Sequence, residues 1–194
     1  MRNSKILAIG SIALLAFGLT ACGGGEQEEA SGESQPSMSA AGAELTIPNW
    51  MTVDNEAKTV TLEILAGQTD ANNHWNFNGY VNGGATVTVP EGYTVTIEFE
   101  NRDPAMAHSI GVDALTGNFP PMFDNPQPVF VGAISSNPTD AASATQPGQS
   151  ETITFTASQA GSYSLVCYVP AHALSGMWIG FNVSSDGSVG VGTG

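Results

Sequence analysis

Short runs in which apolar and polar residues alternate constrain the fold of this chain more than any other feature. Residues 59–64 and 94–100 carry an apolar side chain at every second position, with threonine or glutamate between them. A period of two in runs rich in Val, Ile, Thr and Phe is typical of half-buried β-strands. No segment has the periodicity of a long amphipathic helix, so the pattern predicts an all-β single domain, an antiparallel sandwich or barrel. Similar runs, separated by glycine and proline turns, occur at 86–89, 153–155, 163–167 and 179–183.

One stretch, from Ala114 to Gln149, departs from this rhythm. It is rich in proline and has few strand-like runs apart from Val129-Phe130-Val131. Loops of this length are either functional or disordered. Because Phe119 and Met122 give the stretch apolar content, we expect it to pack across one end of the sandwich.

The N-terminal segment has the features of a secretory signal. Arg2 and Lys5 precede an apolar run at 6–19, which is shorter than the roughly 20 residues of a membrane-spanning helix. The tetrapeptide Leu19-Thr20-Ala21-Cys22 resembles the lipobox of bacterial lipoproteins, which implies that Cys22 is lipidated and begins the mature chain. The alternative is an uncleaved transmembrane anchor.

These signals predict an extracytoplasmic protein, periplasmic or on the cell surface, that is anchored to the membrane through lipid on Cys22. Glutamate, serine and glycine dominate the next twenty residues, which have too little apolar surface to fold. The expected segments are a signal peptide at 1–21, a flexible acidic tether at 22–43, the folded domain at 44–184 and a flexible tail at 185–194.

The cysteine count leaves one thiol without a partner. The chain has two cysteines, Cys22 and Cys167, so lipid on the first excludes an intramolecular disulfide. A leftover cysteine in a secreted domain suggests a reactive or ligand role for Cys167. The alternative is a buried structural thiol, which packs like a small apolar residue.

The charge of the chain is strongly negative. The formal net charge is −14, and loss of Arg2 and Lys5 with the signal peptide takes it to about −16 (−14 − 2). Nucleic acid is excluded as a partner, because phosphate backbones require clustered Lys and Arg. The acidity could steer a basic partner or reflect a salty habitat.

The segment from Cys167 to Met177 carries the chemistry. It places a thiolate, the imidazole of His172 and a thioether at the spacing C-x4-H-x4-M, in a loop between two predicted strands. Soft sulfur ligands together with imidazole select copper, and two histidines, one cysteine and a distant methionine form the blue-copper site. The second histidine is predicted to be His108, since His74 lies among polar residues and is interpreted as surface or structural. Zinc is the weaker alternative, because it rarely accepts a thioether.

The sequence resembles the cupredoxins, and within them is most similar to sulfocyanin, with rusticyanin and auracyanin as close alternatives. The matching pieces are Trp75-Asn76-Phe77-Asn78-Gly79, the histidine after a strand, Gly161-Ser162-Tyr163 and the C-x4-H-x4-M loop. The resemblance implies a Greek-key β-sandwich with one long loop inserted near the copper end. It implies one type 1 copper per chain, with His108, Cys167 and His172 as equatorial ligands and Met177 as the axial ligand. Ser109 stands where many members have asparagine, next to the cysteine sulfur.

The leading hypothesis is therefore a monomeric electron carrier without catalytic turnover. It is expected to shuttle single electrons between respiratory or photosynthetic membrane complexes, with a terminal oxidase as one candidate acceptor. An apolar collar, through which the edge of His172 exchanges electrons, is expected around the site. An envelope copper-buffering lipoprotein and a metal-free adhesion lipoprotein are the alternatives, whereas three histidines are too few for multicopper enzymes. The expected collar residues are Met106, Phe119, Pro121, Met122, Phe123 and Trp178.

Overall fold

The computed structural model describes residues 44–194. The predicted signal peptide, the tether and the lipidation site at Cys22 lie outside these residues. Within them, no helix is long and apolar enough to cross a membrane. The described residues form nine strands: β1 (Met51–Asp54), β2 (Thr59–Ala66), β3 (Ala85–Pro90), β4 (Thr94–Asn101), β5 (Gly111–Asp113), β6 (Ser150–Thr156), β7 (Gly161–Val166), β8 (Trp178–Ser184) and β9 (Gly190–Thr193).

The strands form two sheets, in the orders β1-β2-β4-β6 and β5-β7-β8-β3-β9. Both β2 and β4 alternate buried apolar residues with more exposed threonine and glutamate, so one face of each strand supplies the core. Side chains from both sheets join in one buried cluster, in which Phe155 of β6 lies 6.0 Å from Phe181 of β8 between ring centroids. The predicted all-β Greek-key sandwich is confirmed.

Two strand pairs are parallel, so the expectation of an antiparallel sandwich is wrong at these places. β2 pairs with β4 and β3 pairs with β8 in parallel register. Between β2 and β4 in sequence, β3 lies in the other sheet, so β4 is joined to β2 by a crossover connection instead of a hairpin.

Residues 114–149 form no strand, and this includes Val129-Phe130-Val131. The segment is tied to the sheets by isolated bridges, Gly111 with Ile134 and His108 with Thr145. The predicted inserted loop is therefore present at the end of the sandwich that carries His108.

The prediction of a flexible tail at 185–194 is wrong for its last part. Gly190–Thr193 forms β9, which pairs antiparallel with β3 at the edge of the second sheet. Val191 is buried and also bridges Thr46. This long-range pairing, rather than local strand propensity, holds the glycine-rich segment in an extended conformation.

Candidate metal centre

The predicted ligands lie at strand ends on one end of the sandwich. His108 is in the connection between β4 and β5, Cys167 directly follows β7, and Met177 directly precedes β8. His172 lies between the last two. All four side chains are buried, with at most 1% of each residue exposed.

The loop from Cys167 to Met177 is closed by its own backbone. The amide of Cys167 donates to the carbonyl of Met177 (3.1 Å), and the amide of Met177 donates to the carbonyl of His172 (2.9 Å). Ala171 has a positive φ of 68°, and its amide donates to the carbonyl of Pro121 in the inserted loop (2.8 Å). These bonds fix the sequence-local ligands relative to one another before any ion binds.

Three potential ligand atoms converge on one point. The Nδ1 atoms of His108 and His172 are 3.2 Å apart, and the Sγ of Cys167 lies 3.9 Å and 3.5 Å from them, respectively. Donors arranged trigonally, with nitrogen at about 2.0–2.1 Å and sulfur at about 2.3 Å from one ion, are separated by about 3.5–3.8 Å. The donor set therefore fits a single metal ion. The thiolate and the two imidazoles are the equatorial set preferred by type 1 copper.

Met177 is close to this cluster through its backbone. Its amide and carbonyl bond to His172 and Cys167, and its side chain is fully buried. The methionine therefore lies in the same buried layer as the three converging donors.

Burial controls the charge of these groups in the metal-free protein. It raises the pKa of the Cys167 thiol to about 11 and, together with the neighbouring His108, lowers the pKa of His172 to about 4. Burial also lowers the pKa of His108. The three side chains are thus neutral near pH 7, and a metal ion that takes the thiolate displaces one proton.

Ser109 contacts the cysteine sulfur, as the resemblance implied. Its amide donates to the Sγ of Cys167 (3.4 Å), and its hydroxyl oxygen is 3.7 Å from the same atom. The hydroxyl oxygen also accepts a hydrogen bond from the amide of Tyr168 (2.9 Å). Ser109 therefore connects the His108 segment to the loop that follows Cys167.

The expected apolar collar divides into covered and exposed members. Phe119, Phe123 and Trp178 pack with Tyr168 in a small aromatic cluster beside the site. The exposed collar members are Met106, Pro121 and Met122.

The edge of His172, the expected route of the electron, is covered. Only 1% of His172 is exposed, and the indole of Trp75 stacks on its imidazole with ring centroids 4.0 Å apart and planes 21° apart. Asn72 fixes this contact, because its side-chain amide donates to the carbonyls of Trp75 and Ser175 (3.0 and 2.9 Å). Trp75 matched a family motif in the sequence, but nothing local to it indicated contact with His172.

Sequence reasoning also missed Asp103. This carboxylate is buried and accepts a hydrogen bond from the Nε2 of His108 (2.9 Å), on the opposite side of the ring from the converging donors. The available signal was an acidic residue five positions before a predicted ligand. His74 lies outside the cluster and contacts the carbonyl of Gly67 (3.4 Å), in agreement with its predicted structural role.

Comparison with known proteins points to one family. The sulfocyanin (SoxE) domain matches residues 48–192, which is 145 of the 194 residues (192 − 48 + 1). A sulfocyanin from Sulfolobus acidocaldarius is 32% identical over 128 residues, which cover 62% of this chain and 61% of the relative. The match thus spans less than two thirds of the relative's length. A rusticyanin structure with 20% identity covers 73% of this chain and 87% of its own, with a TM-score of 0.50, which shows the shared fold.

Proposed function

The chain belongs to the sulfocyanin family, and from this premise we propose that it carries single electrons between membrane-bound redox complexes. As a cupredoxin it holds one type 1 copper ion per chain, and it is a copper electron-transfer protein. We propose as its partners a respiratory or photosynthetic complex that donates the electron and an acceptor such as a terminal oxidase. The proposal also adds the location, outside the cytoplasm on a lipid anchor at Cys22.

One observation carries the proposal: three buried donors, two imidazole and one thiol, converge within 4.8 Å of one another. We assign His108, Cys167 and His172 as equatorial ligands and Met177 as the axial ligand. Bound there, copper supplies one-electron chemistry by alternating between its two oxidation states.

The residues around the donors contribute rigidity. An electron carrier performs best when its ligands keep their positions in both oxidation states, and the loop bonds between Cys167, His172 and Met177 restrict their movement. Ser109 restricts the thiol from a second segment of the chain. A copper buffer must instead release its ion, and four fully covered ligands do not favour rapid release.

The surface near the site offers a place for a redox partner to dock. Met106, Met122 and Leu174 are exposed by 39%, 60% and 55%, respectively. Each belongs to a segment that supplies or contacts an assigned metal ligand. Met106 lies two residues before His108, and Leu174 lies in the loop from Cys167 to Met177. Met122 follows Pro121, whose carbonyl accepts a hydrogen bond from this loop. Apolar side chains at a contact let a partner approach closely without desolvating ionic groups there.

Electron exchange with oxidised and reduced cytochrome c, a small basic redox protein, tests the docking surface. Met122→Lys should slow the exchange, because the new charge is desolvated at the contact and repels the basic partner, while the copper absorption spectrum and the reduction potential stay unchanged. The matched control is Val131→Lys, which places the same charge on the same inserted loop at a residue that is 97% exposed. Equal rates for the two variants would argue against docking at Met122.

A redox titration of the copper-loaded chain tests the electron-carrier assignment itself. One reversible one-electron step per chain is expected. A chain that binds copper without a reversible step would support the copper-buffer alternative.

A further inference from the structure

A buried carboxylate lies behind one of the assigned ligands. Asp103 is 3% exposed, and its Oδ1 accepts hydrogen bonds from the amides of Ala105 (2.8 Å) and Met106 (3.0 Å). Its Oδ2 lies 2.9 Å from the Nε2 of His108. The imidazole is therefore held between a carboxylate at Nε2 and the converging donors at Nδ1.

Capping of the turn does not explain why this carboxylate is buried. Asp54 makes the same two bonds with one oxygen, to the amides of Glu56 and Ala57 (both 2.9 Å), and it does so at the surface. Burying a carboxylate costs free energy unless the charge is paired and hydrogen-bonded. The second oxygen of Asp103 has one side-chain partner, and that partner is His108.

The surrounding backbone holds Asp103 against the imidazole. A Cβ atom at Gly67 would lie 2.7 Å from the Cα of Asp103, so the absence of a side chain at Gly67 permits this close approach. The amide of Asp103 donates to the side-chain oxygen of Asn101 (2.9 Å). Asn101 in turn donates to the carbonyls of Met106 and Thr145 (both 2.8 Å), which connects the turn to the inserted loop.

We propose that Asp103 is a positioning residue that sets the tautomer, the orientation and the basicity of His108, and thereby lowers the reduction potential of the centre. This inference rests on the proposed function. A carboxylate at Nε2 requires the ring proton to be on that nitrogen, which leaves the Nδ1 lone pair directed at the metal position. Its negative charge also favours the more positive oxidation state of a bound ion.

The isosteric change Asp103→Asn is informative because an amide cannot make all three bonds while the Nδ1 atom of His108 keeps its lone pair for a metal. If its oxygen faces the two backbone amides, its NH₂ group meets Nε2 and favours the tautomer with the proton on Nδ1. If its oxygen faces Nε2, the NH₂ group meets the two backbone N–H donors. The first orientation loses its bond to Nε2 when Nδ1 binds a metal, because Nε2 must then carry the ring proton. The second orientation loses both backbone bonds, and the buried negative charge is lost in either case. Asp54→Asn removes the same charge from the same type of turn and is the matched control.

The first measurement uses the metal-free full chain with ¹⁵N-labelled histidine. The nitrogen shifts of His108 at neutral pH should show a neutral ring with the proton on Nε2 in the unchanged protein and in Asp54→Asn. A proton on Nδ1 in the unchanged protein would overturn the proposal, whether or not the Asp103 variant folds and whether or not the chain proves to be an electron carrier.

The second measurement compares the copper-loaded chains. Loss of a partner behind a metal ligand typically weakens metal binding by about 10–100-fold. We expect this loss in Asp103→Asn to fall mainly on Cu(II), so the reduction potential should rise, by about 59 mV for each tenfold change in the ratio of Cu(II) to Cu(I) affinity. A potential equal to that of Asp54→Asn would contradict the proposal. A failure of the unchanged chain to show a reversible one-electron step would instead count against the proposed function.

Discussion

The hydroxyl of Ser109 allows a sharp test of how the site is held together. In Ser109→Ala the buried amide of Tyr168 loses the acceptor that lies 2.9 Å away. A buried donor left without a partner costs about 1–3 kcal/mol. For a domain of roughly this size, each kcal/mol shifts the melting temperature by about 2–4 °C. The variant should therefore melt about 2–12 °C below the unchanged protein.

Ser164 provides the matched control. It lies in β7 and is also fully buried, but its hydroxyl has no hydrogen-bond partner within the described part of the chain. Burying an unpaired hydroxyl costs about 1–3 kcal/mol by mutational measurements. Ser164→Ala should therefore leave the melting temperature unchanged or raise it, although it removes the same hydroxyl group as Ser109→Ala.

Thermal unfolding of the metal-free chain, followed by circular dichroism in the presence of a chelator, compares the two variants without a contribution from copper. Ser109→Ala should lower the melting temperature, whereas Ser164→Ala should raise it or leave it unchanged. Equal losses in both variants would contradict this prediction, because the stability would then follow side-chain volume instead of the bond from Tyr168 to Ser109.

Three further outcomes are expected. Gly111→Ala should lower the free energy of unfolding by about 1–3 kcal/mol in a denaturant titration. The added Cβ would lie 2.8 Å from the Tyr168 ring and 2.9 Å from the Ala133 carbonyl oxygen, which is too close. An unchanged denaturation midpoint would contradict this prediction. Trp75→Ala should accelerate copper removal by a chelator, because the ring stacked on His172 is lost; an unchanged removal rate would show that Trp75 does not shield the site. Electron exchange with the basic cytochrome c should slow as the salt concentration increases, because salt screens the attraction between that partner and the net charge of −14. A rate that does not depend on salt would exclude electrostatic steering of this partner.

The sequence predicted the long strands well, because apolar residues that face the core alternate along them with polar residues that face outward. The run at 94–100 became β4, with its apolar residues buried. The short strands were harder to predict. Gly190–Thr193 has two glycines, and its extended conformation depends on pairing with β3, about a hundred residues earlier. Such pairing leaves no local pattern.

The site was predictable to the extent that its chemistry is local in sequence. Cys167 and His172 share one loop, so their spacing alone suggested a common ion. Asp103 and Trp75 were not predictable in their roles, because each acts through a contact with a histidine that only the folded chain creates. The covering of His172 likewise depends on a loop nearly one hundred residues away in sequence.

The most direct test of a blue-copper site is the visible absorption spectrum of the full chain after addition of Cu(II). We expect an intense blue band from a thiolate bound to Cu(II), lost on reduction and absent in Cys167→Ser. A colourless protein, or the faint colour of ordinary Cu(II) in both the unchanged chain and the variant, would mean that Cys167, His108 and His172 do not bind the ion together.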